Sequence, residues 1–178
     1  MHLASEILIG EDRIAERVDV MARAISADTP EGAPLSVIVA LDGAFVFCAD
    51  LVRRLPMPVR LCMLPLTSVR RGGDPSKAIF PPDFPLKGED VLVVEDILDT
   101  GRTLAELRTR LDFEEPRRVR LAVLLNKPAR RQVPIEADYA GFTVADRWVV
   151  GYGLDYEGLY RNLPYVTYVE RRADPARG

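Results

Sequence analysis

The chain has 178 residues, of which 48% are hydrophobic, and its formal net charge at pH 7 is -3. This length and hydrophobic share fit one domain, residues 1–178, with a sizeable core. The mildly acidic balance gives no electrostatic argument for nucleic-acid binding, and no apolar run approaches the roughly 20 residues of a membrane span. The N-terminal segment is acidic where a signal peptide needs a basic start, so we expect a cytoplasmic protein without membrane or nucleic-acid partners.

The cysteines and the single histidine exclude several kinds of site. Cys48 and Cys62 stand far apart in apolar surroundings, which predicts buried free thiols rather than a disulfide or a metal site. His2 is the only histidine, and we expect it at a frayed terminus. A Ser-His-Asp triad, a Cys-His pair and a histidine-based zinc site are therefore excluded. Any proton transfer near neutral pH must use a carboxylate, a lysine, a tyrosine or the substrate itself.

The first part of the chain alternates helical and extended patterns. Helical spacing of apolar residues indicates helices, and continuous apolar runs with β-branched residues indicate buried strands. The predicted elements are a helix over 11–27, a strand over 36–41, a turn at Asp42-Gly43, a helix over 44–55 and a strand over 59–66. Residues 67–90 then lose this periodicity and are rich in glycine and proline. Such a long irregular stretch is typical of a functional or mobile segment; a linker between two domains is the weaker alternative.

The second part continues the alternation. Thr103 and Glu106 match a capping box, which places the start of a helix just after a glycine loop. The predicted elements are strands over 91–95 and 118–125, a helix over 103–112 and short β segments at 139–144, 147–153 and 165–170. Fully apolar strands that alternate with helices predict an α/β fold, a central parallel sheet covered on both faces. Ligands of such sheets bind beyond the carboxyl ends of the strands.

The segment VLVVEDILDTGRT, residues 91–103, ends one of these strands in carboxylates. Capping and turn geometry alone would explain the polar residues from Asp99 to Thr103. They would not explain Glu95 and Asp96, which are adjacent, cannot point to the same side of a strand, and need a cation, a basic partner or hydroxyl donors. This favours a functional site over a purely structural turn.

The same segment predicts two adjoining binding sites. Gly101 allows a close approach of the backbone to an anion, and the loop amides and helix N-terminus supply donors and a positive dipole. Hydroxyls of Thr100 and Thr103 and the charge of Arg102 suit a phosphate monoester. The carboxylates before them suit sugar hydroxyls and a hard cation, most simply Mg²⁺. Together the two sites imply a phosphorylated sugar as the ligand. The Walker pattern is absent.

This pattern, Glu-Asp followed by two apolar residues and Asp-Thr-Gly-x-Thr, resembles the phosphoribosyl-pyrophosphate motif of the type I phosphoribosyltransferases. The Glu-Asp form resembles the hypoxanthine-guanine phosphoribosyltransferases in particular. The likeness continues in ALDGAFVFCADLVRRL, in LLNKPARR and in the long segment from ADYAGF to NLPYV. It implies the type I phosphoribosyltransferase fold, a mostly parallel sheet flanked by helices, with a small hood formed by N- and C-terminal segments.

The resemblance implies an enzyme of purine salvage. It would transfer ribose 5-phosphate from phosphoribosyl pyrophosphate to N9 of hypoxanthine or guanine, giving IMP or GMP and pyrophosphate. Glu95 and Asp96 would contact the ribose hydroxyls and a Mg²⁺ ion with its water shell. The 5-phosphate would lie against Thr100, Gly101, Arg102 and Thr103.

The resemblance also implies a pyrophosphate site. Leu41 and Gly43 would flank a loop whose backbone meets pyrophosphate and which often holds a non-proline cis peptide. Arg161 would bind pyrophosphate, and Asp155 would hold a second Mg²⁺. Asp42 departs from the family, which usually has lysine there. A carboxylate beside pyrophosphate is unfavourable unless it points away or meets a cation, so Asp42 could weaken product binding or join an interface salt bridge.

For the purine, the resemblance implies four residues. Lys127 would donate to O6, Trp148 would stack on the base, and the backbone of Val149 would meet its edge. Asp99 would be the general base near N7. Composition alone leaves a core position for Trp148 about equally open. For Lys127 it favours an ordinary surface lysine, and only the resemblance argues for a place in the site.

The resemblance also predicts a mobile lid over residues 68–80, where Val69 replaces the family's usual tyrosine. Two alternatives to a hypoxanthine or guanine phosphoribosyltransferase stay open at this point: a xanthine-preferring relative and a non-catalytic RNA-binding regulator on the same fold. The acidic composition and the pair Lys127 and Trp148 argue against the regulator. The family forms dimers and tetramers, so we expect a homodimer or homotetramer.

Overall fold

The structure, a computed structural model, describes residues 2–65 and 80–170, with side chains from residue 6 onward. In chain order its elements are β1 (His2–Ile9), α1 (Glu11–Ala27), β2 (Leu35–Leu41), α2 (Phe45–Val52), β3 (Val59–Pro65), β4 (Asp90–Leu98), α3 (Arg102–Phe113), β5 (Arg118–Asn126), a short 3-10 helix (Pro128–Arg130), β6 (Tyr139–Thr143), β7 (Val149–Val150) and β8 (Val166–Glu170).

Two sheets organise the described residues. Five strands form a sheet in the order β3-β2-β4-β5-β6, and every neighbouring pair in it is parallel. Three strands, β1, β8 and β7, form a separate antiparallel sheet. The predicted α/β class with a parallel central sheet is confirmed. The smaller sheet joins the first strand to the last two, as expected for a hood built from N- and C-terminal segments.

Both faces of the parallel sheet are covered, because alternate residues of its strands enter two different cores. In β4, Leu92 and Val94 pack in the cluster that contains α1 and α2. Val91 and Val93 pack in the other cluster, with the buried leucines of α3. A strand buried on both faces must be apolar throughout, which explains the unbroken run before Glu95.

Three local predictions need correction. His2 was expected at a frayed terminus, but β1 begins there and pairs with Glu170 of β8, a partner too distant in sequence to be read locally. The capping box is wrong: α3 begins at Arg102, its N-cap is Gly101, and no side chain caps it. Strand β4 also runs on to Leu98, past the predicted end at Glu95, so Asp96 lies within the strand rather than after it.

Other predictions are confirmed or lie outside the described residues. Cys48 and Cys62 are free and buried, and burial raises the pKa of the Cys48 thiol to about 12. Residues 68–79 of the predicted lid lie outside the described part of the chain. Among the helices of residues 2–65 and 80–170, none is long and apolar enough to cross a membrane.

Candidate active site

A cavity of about 760 Å³ opens where β2, β4 and β5 end. It gathers segments that are far apart in sequence, as the carboxyl edge of a parallel sheet does. Of the predicted site residues, those that line it are Asp42, Gly43, Glu95, Asp96, Asp99, Thr100, Gly101, Thr103, Lys127, Trp148, Val149, Asp155 and Arg161. Arg102 is the exception: its side chain is exposed in the first turn of α3 and does not line the cavity.

The two adjacent carboxylates of β4 have different surroundings. Glu95 is buried, with 6% of its surface exposed, and Asp96 is half-buried. Burial raises the pKa of Asp96, and a hydrogen bond with Glu95 and the charge of Arg161 act in the opposite direction. The carboxyl group of Asp96 therefore lies between the carboxyl group of Glu95 and the positive charge of Arg161.

Gly43 fits tightly against Asp96. A Cβ atom on Gly43 would lie 1.6 Å from Asp96 Oδ2, and one on Gly153 would lie 2.2 Å from the carbonyl oxygen of Gly43. The loop after β2 is thus enclosed between β4 and the segment after β7, and only glycine fits at either contact. The peptide between Leu41 and Asp42 is cis, as the resemblance implied. The Asp42 side chain is exposed.

Gly101 forms the turn between β4 and α3. Its φ of +82° lies in the left-handed region, which favours glycine. A Cβ there would lie 2.5 Å from Cγ2 of Ile135, so the loop also packs closely against the chain after β5. Thr100 and Thr103 flank this turn at the N-terminus of α3, where the amides of the first helical turn and the helix dipole favour an anion.

Lys127 follows β5 directly and is buried, with 6% of its surface exposed. Its Nζ donates to the carbonyl oxygen of Arg147 at 2.6 Å. Burial lowers the pKa of Lys127, whereas the carboxylates of Asp99 and Asp146 raise it. The alternative of an ordinary surface lysine is therefore wrong, and the ammonium group lies inside the cavity near two carboxylates.

Trp148 is 60% exposed, so the alternative of a core position is wrong. Its ring meets Tyr156 edge-on at 5.7 Å between centroids, and its Nε1 donates to the carbonyl oxygen of Asp155 at 3.2 Å. The hydrogen bond holds the indole from its edge. The side chain can therefore offer an aromatic face to a planar ligand in the cavity.

Asp155 and Arg161 form a compact ion pair. Arg161 Nη2 lies 2.9 Å from Asp155 Oδ1, and Arg161 Nη1 donates to the carbonyl oxygen of Gly153 at 2.7 Å. The other oxygen of Asp155 accepts from the amide of Gly158 at 2.7 Å. Arg161 is therefore held by the protein and is not a freely solvated charge.

The carboxylates suit a hard cation only together with a ligand. Within residues 2–65 and 80–170, no group of three or more metal-binding side chains is arranged to hold an ion by itself. Mg²⁺ commonly takes one or two carboxylates, several waters and phosphate oxygens of a substrate. The oxygen donors of Glu95, Asp96 and Asp155 fit that pattern.

Sequence reasoning missed a second set of charges in the cavity. Arg130 Nε lies 2.8 Å from Asp99 Oδ1, and Arg130 Nη1 lies 3.1 Å from Asp146 Oδ1. Arg131 donates to the backbone carbonyl oxygens of Leu98 and Asp99. The signal was present, since two arginines follow Lys127-Pro128 at a strand end and an acidic residue stands two positions before Trp148.

The fold and the site together define the phosphoribosyltransferase class, and the family described as "Phosphoribosyl transferase domain" matches residues 7–157. The chain is 36% identical over 168 residues to the hypoxanthine phosphoribosyltransferase of Salmonella typhimurium, covering 92% of this chain and 94% of that relative. The chain belongs to the hypoxanthine-guanine phosphoribosyltransferase family of type I purine phosphoribosyltransferases.

Two further comparisons agree with this family. The crystal structure of a hypoxanthine-guanine phosphoribosyltransferase from Bacillus anthracis matches with a TM-score of 0.83 and 35% identity, covering 96% of this chain and 100% of that chain. The "Bifunctional protein TilS/HprT" of Listeria innocua is 40% identical over 164 residues, or 90% of this chain and 25% of that relative. The chain thus spans about a quarter of the length of this bifunctional relative.

Proposed function

We propose that this protein transfers the 5-phosphoribosyl group from phosphoribosyl pyrophosphate to N9 of hypoxanthine or guanine and releases pyrophosphate. The observation that carries the proposal is one cavity with two unlike halves. One half has carboxylates beside a glycine loop at a helix N-terminus, and the other has a buried lysine beside an exposed tryptophan. The names of the relatives support the same reaction, and nothing in the comparisons favours a xanthine-preferring enzyme or an RNA-binding regulator.

In the donor half, the amides at the N-terminus of α3 and the hydroxyls of Thr100 and Thr103 bind the 5-phosphate. Glu95 and Asp96 accept hydrogen bonds from the ribose hydroxyls. Arg102 does not line the cavity, so it contributes general positive charge at the helix start rather than a direct contact. These contacts fix the sugar so that its C1 atom faces the purine half.

Pyrophosphate lies against the loop from Leu41 to Gly43 and beside Arg161. Glu95, Asp96 and Asp155 would hold Mg²⁺ together with substrate oxygens, and such ions neutralise the charge of the departing pyrophosphate. Arg161 adds a fixed positive charge and keeps Asp155 in place through their ion pair. Asp42 is exposed at this end of the cavity, so its charge opposes tight binding of the product anion.

In the purine half, Lys127 donates to O6, Trp148 stacks on the ring, and the backbone of Val149 meets its edge. The N9 lone pair forms a bond to C1 as the bond from C1 to the pyrophosphate oxygen breaks, and its electron pair leaves with pyrophosphate. The purine that results would carry positive charge, which it loses as its N7 proton passes to Asp99. The aromatic face and the sugar exclude water from the reacting atoms.

A pyrophosphate-release assay tests this proposal. The protein is supplied with phosphoribosyl pyrophosphate and Mg²⁺ and, in separate reactions, with hypoxanthine, guanine, xanthine, adenine or uracil. We expect release with hypoxanthine or guanine and much less with adenine, which lacks the O6 atom. Absence of release with every 6-oxopurine would overturn the proposed function.

Lys127→Met is expected to raise the KM for hypoxanthine by about 10- to 100-fold, because a charge-assisted hydrogen bond to O6 is lost. The KM for phosphoribosyl pyrophosphate should change by less than about threefold, since Lys127 lies in the purine half. Steady-state kinetics with each substrate varied in turn measure both constants. Lys87→Met is the control, because Lys87 is 81% exposed and pairs with Glu115 away from the cavity; an unchanged KM for hypoxanthine in Lys127→Met contradicts the assignment.

Further properties expected of the family stay predictions. These are a single domain over 1–178, a homodimer or homotetramer, and a cytoplasmic location. Sedimentation of the purified protein measures the oligomeric state directly. A monomer at micromolar concentration would contradict the predicted oligomeric state and would not contradict the proposed reaction.

A further inference from the structure

Arg130 lines the cavity and is charged, but it has no role in the proposed reaction as described so far. It ends the short 3-10 helix that follows Lys127. Its guanidinium bridges two carboxylates, with Nε 2.8 Å from Asp99 Oδ1 and Nη1 3.1 Å from Asp146 Oδ1. The bridge joins the loop after β4 to the segment before Trp148.

The contact between Arg130 and Asp99 is electrostatic rather than a directed hydrogen bond. Asp99 Oδ1 is buried and has no hydrogen-bond donor of good geometry among the described residues, although Nε lies at ion-pair distance. The backbone of Asp99 is held separately, because Arg131 donates to its carbonyl oxygen. Two neighbouring arginines therefore hold the same residue, one through its main chain and one through its side chain.

Lys127 is a second cationic side chain whose charge interacts with that of Asp99. Its buried ammonium is close enough for the charges of Asp99 and Asp146 to raise its pKa against the effect of burial, and Arg130 acts in the opposite sense. Without Arg130, Lys127 would remain as a cationic side chain whose charge acts together with that of Asp99. A direct pair between them would occupy both groups that the purine needs, the ammonium for O6 and the carboxylate for N7.

We propose that Arg130 is a positioning residue for the proton transfer, holding Asp99 Oδ1 away from Lys127 so that Oδ2 faces N7 of the purine. Asp146 anchors Arg130 from the other side. No described residue makes a hydrogen bond or ion pair with Asp99 Oδ2, which is the oxygen left for the substrate. The inference rests on the proposed function and adds to it the group that keeps the acid-base residue and the O6 donor apart.

A double-mutant cycle tests the inference in the full-length protein. Arg130→Met is expected to lower kcat about tenfold and to change the KM for phosphoribosyl pyrophosphate less than about twofold. Arg130→Lys should recover most of the loss, because it restores the positive charge. In an Asp99→Asn background, Arg130→Met should cause no further loss, since the carboxylate it positions is gone. Residual rates are measured with radiolabelled hypoxanthine.

Two further variants keep the test decisive. Asp146→Asn is expected to lower kcat about threefold in the Asp99 protein and not at all in the Asp99→Asn protein, and it replaces Arg130→Met if that variant does not fold. Arg108→Met is the control, because Arg108 forms a comparable pair with Asp112 on the surface of α3, at 3.2 Å.

The possible outcomes separate the two proposals. A wild-type protein that releases no pyrophosphate with any 6-oxopurine overturns the proposed function before any variant is made. An active wild type with Arg130→Met at wild-type kcat overturns the positioning role alone. Equal losses from Arg130→Met in the Asp99 and Asp99→Asn backgrounds also overturn it, because they indicate a purely structural contact.

Discussion

Replacing Asp99 with asparagine is expected to lower kcat by about two to four orders of magnitude while the KM for phosphoribosyl pyrophosphate stays within about threefold. Asparagine keeps the shape of the side chain and leaves the carbonyl bond from Arg131 intact. It cannot take the N7 proton, and it offers no negative charge to the purine as positive charge develops there. The loss should therefore fall on the chemical step and not on donor binding.

The measurement compares steady-state kcat and both KM values with Asp112→Asn, an exposed carboxylate that pairs with Arg108 on α3. Binding of phosphoribosyl pyrophosphate to Asp99→Asn by titration calorimetry confirms that the donor half is intact. An unchanged kcat would remove Asp99 from the proton transfer. A large rise in the KM for phosphoribosyl pyrophosphate would instead place Asp99 in the donor half.

The central sheet and the donor half of the cavity were predictable because each depends on contiguous sequence. The run before Glu95 is apolar since β4 is buried on both faces, and Gly101 follows it in the turn to α3. A start of α3 just after the glycine loop was predicted correctly, but the capping box was not. Thr103 and Glu106 match its pattern, whereas the residue at the cap position is the left-handed Gly101 and no side chain caps the helix. Local propensity could not reveal that difference.

Contacts between distant segments were beyond local reasoning. The strand β1 pairs with β8, and no pattern within either segment predicts that pairing. Arg130 was overlooked because its partners lie 31 residues before it and 16 residues after it in the sequence, at Asp99 and Asp146. Lys127 and Trp148 were found through the family resemblance alone, since their burial and exposure depend on the folded cavity.

The tight contact between Gly43 and Asp96 leads to the second large prediction. Gly43→Ala places a methyl carbon 1.6 Å from Asp96 Oδ2 and 2.5 Å from its Cγ, so the carboxylate or the loop must move. The loop cannot retreat freely, because its carbonyl oxygen abuts Gly153 on the other side. Overpacking of this kind costs about 1–3 kcal/mol, which corresponds to a fall in Tm of about 3–9 °C for a chain of this size.

The effect on activity should be larger than the effect on stability. Asp96 faces the ribose and the loop faces pyrophosphate in the proposed complex, so one methyl group displaces both contacts to the donor. Misplacement of about 1 Å can cost about 100-fold, and we expect a fall of that order in kcat/KM for phosphoribosyl pyrophosphate. Gly10→Ala is the matched control, because a Cβ atom on Gly10 meets nothing within 4 Å.

A second cycle identifies the cause of the fall in Tm. In an Asp96→Ala background the two closest atoms are absent, and the nearest remaining atom, Asp96 Cβ, lies 3.4 Å from the new methyl group. Gly43→Ala should then lower Tm by less than about 2 °C, because the clash that it creates in the wild type is gone. An equal fall in Tm in both backgrounds would show that the backbone of the loop, and not the carboxylate of Asp96, requires glycine at this position.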